Sequence, residues 1–259
     1  MWQSFVVVAI MLLVLFLALF AIRRYPFPSD ATMVAETSTV LLGFRVAVFI
    51  FFCVCLIGYS DTTRAYAYYT TWNFALQTVY FGWALKYQWC HRRATAAATS
   101  MTKEGRILST FFDVVFATSF LVCLVFWGII YPARANKAIQ WPSVLRHGGN
   151  VILLLVEFAL NGRTVRISSL GYIIAFPLVY GTFSWIGHET WQQGFWAYSF
   201  LDVAKTLSPA WYIGVCLIHT LFLVAAIGLS KLKWRCRLQP ETTAANVETP
   251  DKYAAMQEV

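Results

Sequence analysis

The sequence predicts an all-α, polytopic transmembrane helix bundle of about seven spans. Three observations carry that expectation. The 259 residues are 59% hydrophobic and only 12% charged, about half the charged fraction of a soluble domain. The apolar residues fall in long runs instead of short periodic stripes. Hydrocarbon gives backbone N–H and C=O groups no partner, so such runs must close their own hydrogen bonds as helices, and about 20 residues cross the apolar core. Finally, Lys and Arg are divided unequally between alternate connecting segments.

Seven segments fit a span: residues 3–22, 39–59, 66–87, 108–131, 144–161, 168–187 and 211–231. The first has the length of a signal core or more, yet it lacks a basic leading region and a small-x-small cleavage site. Arg23 and Arg24 follow it directly, which favours a retained helix. The fifth is the least apolar. With span-end residues counted to the adjoining segment, the connections after spans one, three and five and the C-terminal tail hold 14 of the 20 Lys and Arg, against five on the other side. The positive-inside rule then puts the N-terminus outside and the tail in the cytoplasm. Aromatic belts agree, with Trp83, Tyr87 and Trp89 at the cytoplasmic edge and Tyr131, Trp141, Trp185 and Trp211 at the opposite one. The helical domain is expected over residues 1–231. Residues 232–259 read as a disordered cytoplasmic tail that opens on a basic patch and then has few apolar anchors.

Composition also excludes several classes. The net charge of +8 sits at helix ends, where cations set topology and meet anionic headgroups, so membrane lipids are the expected partners and no nucleic acid is. Cys53, Cys55, Cys123 and Cys216 lie within apolar runs and read as small hydrophobes. Cys90-His91 and Cys236 match no zinc spacing. No metal or organic cofactor is implied. The host membrane is expected to be the endoplasmic reticulum or the plasma membrane.

Polar residues inside the spans each need a reason. Thr70, Asn73 and Gln77 share one face of the third span, and His147, Asn150 and Glu157 share one face of the fifth. Both spans enter from the non-cytoplasmic side, which puts Thr70 and His147 at the same depth, about 5 Å below that surface. Asn73 and Asn150 lie a turn deeper. A hydroxyl facing an imidazole is the minimum for a nucleophile with a general base, and the two asparagines are candidates for holding an oxyanion. The structural alternative is a threonine bonded to its own helix and an interfacial histidine. Thr71 is turned 100° away and is the weaker nucleophile candidate. Nearer the cytoplasmic side, Arg45 is expected to pair with Glu157, with Asp113, or with both as a structural lock, the alternative being a proton or ion relay. His188, Glu189 and Asp202 sit in an aromatic segment that reads as interfacial, or as a lid whose acid orients His147. His219 is placed to line the same cavity.

The run from Tyr68 to Gly82, Tyr-Tyr-Thr-Thr-Trp-Asn-Phe-Ala-Leu-Gln-Thr-Val-Tyr-Phe-Gly, resembles the second-helix signature of the androgen-induced gene family. His147-Gly-Gly-Asn-Val-Ile-Leu-Leu-Leu-Val-Glu157 is similar to that family's histidine helix, and residues 181–202 to its late aromatic loop. The resemblance covers roughly residues 65–230. It implies a multi-pass membrane hydrolase of fatty acid esters of hydroxy fatty acids, with Thr70 as nucleophile and His147 as the histidine. Two positions depart from the pattern: Asn150 stands where a second histidine is common, and Asn73 where an acid is. The chain also resembles Rolling stone-like proteins, which share the His-x-x-Asn…acid helix and are linked to cell fusion. The expected function is therefore lipid ester hydrolysis, with a non-enzymatic role in adhesion, fusion or assembly as the alternative. Small-solute transport comes third, since Pro177 alone interrupts a span.

Overall fold

A computed structural model describes residues 2–28, 31–34, 36–58, 64–93, 98–134, 138 and 141–247. Helices dominate. They are α1 (Trp2–Arg24), α2 (Thr39–Ile57), α3 (Tyr69–His91), α4 (Lys103–Val125), α5 (Trp141–Val144), α6 (Asn150–Leu160), α7 (Leu170–Glu189) and α8 (Ser208–Val247). A π-helical turn, Phe126–Ile130, prolongs α4, and another, Leu145–Gly149, joins α5 to α6. Two short strands, β1 (Thr32–Val34) and β2 (Ala98–Ser100), pair antiparallel.

Each of the seven expected segments coincides with a helix. Five stretches are long and apolar enough to cross a membrane: Trp2–Arg24, Thr39–Ile57, Lys103–Ile130, Ile167–Glu189 and Ser208–Cys236. The other two, α3 and the α5–α6 segment, carry the polar stripes and are not among these five. Phe5, Phe16, Val54, Ile152 and Leu217 point outward, a distribution of apolar surface that a bilayer accommodates and water does not.

Contacts at one end of the bundle give the direction of the helices. There Arg45 of α2 meets Gln88 of α3 and Glu157 of α6, Arg163 meets Ser109 of α4, Ser169 before α7 meets Asp113, and Ser230 of α8 meets Val165. So α2, α4 and α7 begin at the end where α3, α6 and the apolar part of α8 finish. α1 packs on α7 and α8. Gly171 permits the crossing, because a Cβ there would stand 2.5 Å from the Ala18 carbonyl oxygen and from Ile22 Cγ1. Val7 of α1 is fully buried among Tyr69, Leu121 and Tyr180, so α1 is an integral part of the packing.

Between helices in lipid there is little hydrophobic drive, and packing contacts take over. Aromatic rings supply them: Phe52 lies 4.3 Å from Phe74 and Phe116 4.8 Å from Phe158, centroid to centroid.

α8 does not stop at the expected boundary at residue 231. Lys233 Nζ donates to the carbonyls of Phe158 at 2.5 Å, Asn161 at 2.8 Å and Arg163 at 3.2 Å, capping the end of α6. That attachment carries ordered helix past the last apolar turn. Of the expected tail, residues 248–259 lie outside the described residues.

Candidate functional site

The expected lock is present and larger than anticipated. Arg45, fully buried, donates from Nε to both Glu157 carboxylate oxygens at 3.0 and 3.2 Å and from Nη2 at 2.5 Å. Its Nη1 reaches Glu36 at 2.7 Å and Gln88 at 3.0 Å. Tyr80 donates to Glu157 at 2.8 Å. Arg163 closes the set through Glu36 at 3.2 Å and Ser109 at 2.8 Å. Two arginines thus balance two carboxylates, and Tyr80 and Asn161 add donors to Glu157, which helps the buried charges to be tolerated. Burial pushes the Glu36 carboxyl up, but the Arg163 and Arg45 guanidiniums outweigh it and hold the group down to about 2. Asp113 is not a partner of Arg45. It accepts from Ser169 Oγ at 2.5 Å and from the Arg166 backbone N–H at 3.2 Å, tying α4 to the start of α7.

Asn73 and Gln77 are structural as well. Gln77 Nε2 donates to Asn73 Oδ1, and Asn73 Nδ2 donates to Thr118 Oγ1 at 2.6 Å. Both are fully buried between α3 and α4. The Asn73 amide therefore clamps two helices instead of facing a reaction centre. Asn150, also buried, accepts from the Val151 N–H at 2.8 Å.

Thr70 is different. A cavity of about 100 Å³ opens among α1, α3, α4, α7 and α8, with an otherwise largely apolar wall that includes Met11, Val122, Phe126, Leu201 and Ile218. Thr70 lies on that wall. Helical threonines in this chain bond back to the carbonyl four residues earlier: Thr78 to Phe74, Thr118 to Val114, Thr182 to Leu178 and Thr220 to Cys216. The corresponding carbonyl for Thr70 belongs to Tyr66, which precedes α3 and accepts from Trp72 Nε1 at 2.9 Å. Among the described residues, the Thr70 hydroxyl makes no hydrogen bond.

His147 sits in the π-helical turn and is buried. Its ring stacks on Phe126, with centroids 3.6 Å apart, and Phe126 lines the cavity. Nδ1 lies 2.8 Å from the Ser143 carbonyl. A carbonyl has no proton to give, so Nδ1 donates and Nε2 of the neutral ring keeps a lone pair. No hydrogen bond joins His147 to Thr70 among the described residues. Asp202 does not orient His147, because its Oδ1 accepts from the Ala204 N–H at 3.0 Å.

Of the two histidines, His219 is the one that lines the cavity. His219 Nδ1 donates to the Val215 carbonyl at 2.6 Å, so Nε2 accepts from the Tyr69 hydroxyl at 2.7 Å. Its lone pair is thereby occupied. The aromatic loop supplies Tyr198, Phe200 and Leu201 to the cavity wall, and Tyr198 packs edge-on against Tyr68 at 5.9 Å. His188 bonds Glu189 at 3.0 Å and stacks on Trp196.

These features define an integral, multi-pass helical membrane protein with a largely apolar cavity among its helices. The sequence model of the FAR-17a/AIG1-like protein family matches residues 38–232, and the chain belongs to that family. It is also similar to Protein rolling stone of Drosophila melanogaster, 22% identical over 219 residues, which cover 76% of this chain and 79% of that protein. No solved structure matches the chain. α1, with its share of the cavity wall, precedes the matched region.

Proposed function

We propose that the chain is an intramembrane hydrolase of fatty-acyl esters, with Thr70 as nucleophile and His147 as general base. The observation that carries this reading is the Thr70 hydroxyl, which stands in the first turn of α3 with no helical carbonyl four residues before it, at the wall of an apolar cavity. An acyl chain entering laterally would rest in the cavity with its ester at Thr70. His147, whose Nε2 retains a lone pair, would take the hydroxyl proton and return it to the leaving alcohol; water would then release the acid by the same steps in reverse. His219 lines the cavity but is engaged by Tyr69; His147, stacked on the cavity residue Phe126, keeps its Nε2 lone pair, which favours it as base. Its contact with Thr70 must tighten when substrate binds, as catalytic hydrogen bonds do in many ligand-free sites. The reading includes seven crossings, an external N-terminus and a cytoplasmic tail, in the endoplasmic reticulum or plasma membrane. The alternating helix directions and the charge bias support it.

The test is labelling of purified protein with a serine/threonine-directed fluorophosphonate. Thr70→Ala is expected to abolish labelling, and His147→Ala to slow it by roughly 10²- to 10⁴-fold, while Thr182→Ala labels normally. Full labelling of Thr70→Ala would sink the assignment. A non-enzymatic role in adhesion, fusion or assembly is the second reading, favoured by the missing Thr70–His147 bond. It requires Thr70→Ala to keep full biological function.

A further inference from the structure

Thr70 borders a second, smaller space. On the side away from the apolar cavity, Thr70, Thr71, Phe74, Leu56 and Arg146 enclose a niche of about 10 Å³. That volume suits a single oxygen-sized group. Thr71 is 5% exposed, and its hydroxyl has no hydrogen-bond partner among the described residues. Buried hydroxyls are normally satisfied, so one left open at a niche needs a reason. The local cause matches that at Thr70: the carbonyl four residues before Thr71 belongs to Ala67, which precedes α3 and accepts from the Tyr180 hydroxyl at 2.7 Å. Two adjacent threonines in the first turn of α3 thus have no helical carbonyl to bond back to, and both border the same niche. Arg146, from the turn that carries His147, also lines it.

We infer that Thr71 and Arg146 form the oxyanion-holding side of the Thr70 site, receiving the carbonyl oxygen of a fatty-acyl ester in the niche while the acyl chain lies in the apolar cavity. The inference rests on the hydrolase reading. When Thr70 Oγ1 bonds to the carbonyl carbon, the C=O π pair moves onto oxygen and the Thr70 proton passes to His147. The oxygen, now anionic, accepts from the Thr71 hydroxyl and the Arg146 guanidinium. Collapse restores the C=O, expels the alcohol with the proton from His147, and leaves an acyl-threonine that water opens in the same way. A cationic donor gains most as charge develops on the oxygen, which is the differential a catalytic group needs. Asn73, expected in this role, is committed to Thr118.

The bland alternative is an arginine that only anchors the helix end in the headgroup region. Purified full-length protein, hydrolysing the p-nitrophenyl ester of a medium-chain fatty acid, separates the two. Thr71→Val and Arg146→Gln are each expected to lower kcat by roughly 10²- to 10³-fold with KM little changed, and Thr71→Ser and Arg146→Lys to recover at least a tenth of the rate. Thr70-dependent turnover that persists undiminished in Thr71→Val and Arg146→Gln overturns this assignment alone. An equal loss in the conservative Thr71→Ser and Arg146→Lys variants attributes the effect to packing and overturns it too. A wild-type protein without Thr70-dependent turnover overturns the hydrolase reading and the assignment with it.

Discussion

At the residue scale, the dominant fact is that Arg45 and Glu157 are both fully buried and bonded to each other three ways. Removing one member strands the other in a medium that cannot solvate it. Glu157→Ala is therefore expected to cost about 3–5 kcal/mol, seen as a fall in Tm of roughly 10 °C in detergent; a Tm within a degree or two of wild type would contradict the lock. Glu36 makes the same network sensitive to acid. Its carboxyl is held near 2, below its usual 4.5. The stability this contributes is present above about 4.5 and is lost as pH falls towards 2. Glu36→Gln should lose that part of the acid dependence, measured as Tm against pH. The Arg45–Glu157 pair was legible in the sequence, because two opposite charges at one depth inside apolar runs have little else to do. Glu36 and Arg163 were not, since a charge in a connecting segment looks like a topology signal until the chain folds it inward.

At the element scale, the site is an arrangement of helix ends. α3 begins just after a tight turn whose carbonyls, Tyr66 and Ala67, are taken by Trp72 and Tyr180. The two π-helical turns bring Phe126 and His147 ring to ring. Helical phase showed that Thr70 and His147 each face inward, but phase gives neither the rotation of one helix against another nor a π-helical turn. For that reason the sequence offered no sign of the Tyr69–His219 bond, or of Phe126 against the His147 ring. The same rotation turns Asn73 to Thr118 on α4. α7 offers a clean probe of the cavity. Gly181 lines it, and a Cβ there would meet only Tyr212 Cε1, at 3.8 Å. Gly181→Leu should fold and fill the space, so fluorophosphonates with a long alkyl chain should lose at least tenfold in labelling rate while small ones lose little. Equal rates for long and short probes would show that the cavity takes no acyl chain.

For the whole molecule, the two ends of the bundle differ in chemistry. One end gathers the ion network, the β1–β2 pair and the Lys233 cap. The other gathers the aromatic loop, the cavity and the threonine pair. In the proposed topology the ionic end faces the cytoplasm. Cys90 and Cys236 are exposed at that end, so a membrane-impermeant maleimide should label them only after cells are permeabilised; labelling in intact cells would invert the topology. Under the proposed topology the cavity would lie on the non-cytoplasmic side of the membrane.

Mass spectrometry of the fluorophosphonate adduct tests the central claim most directly. The account predicts one covalent adduct, on the Thr70 hydroxyl, absent from Thr70→Ala. An adduct on another residue, or none on folded protein, would contradict it.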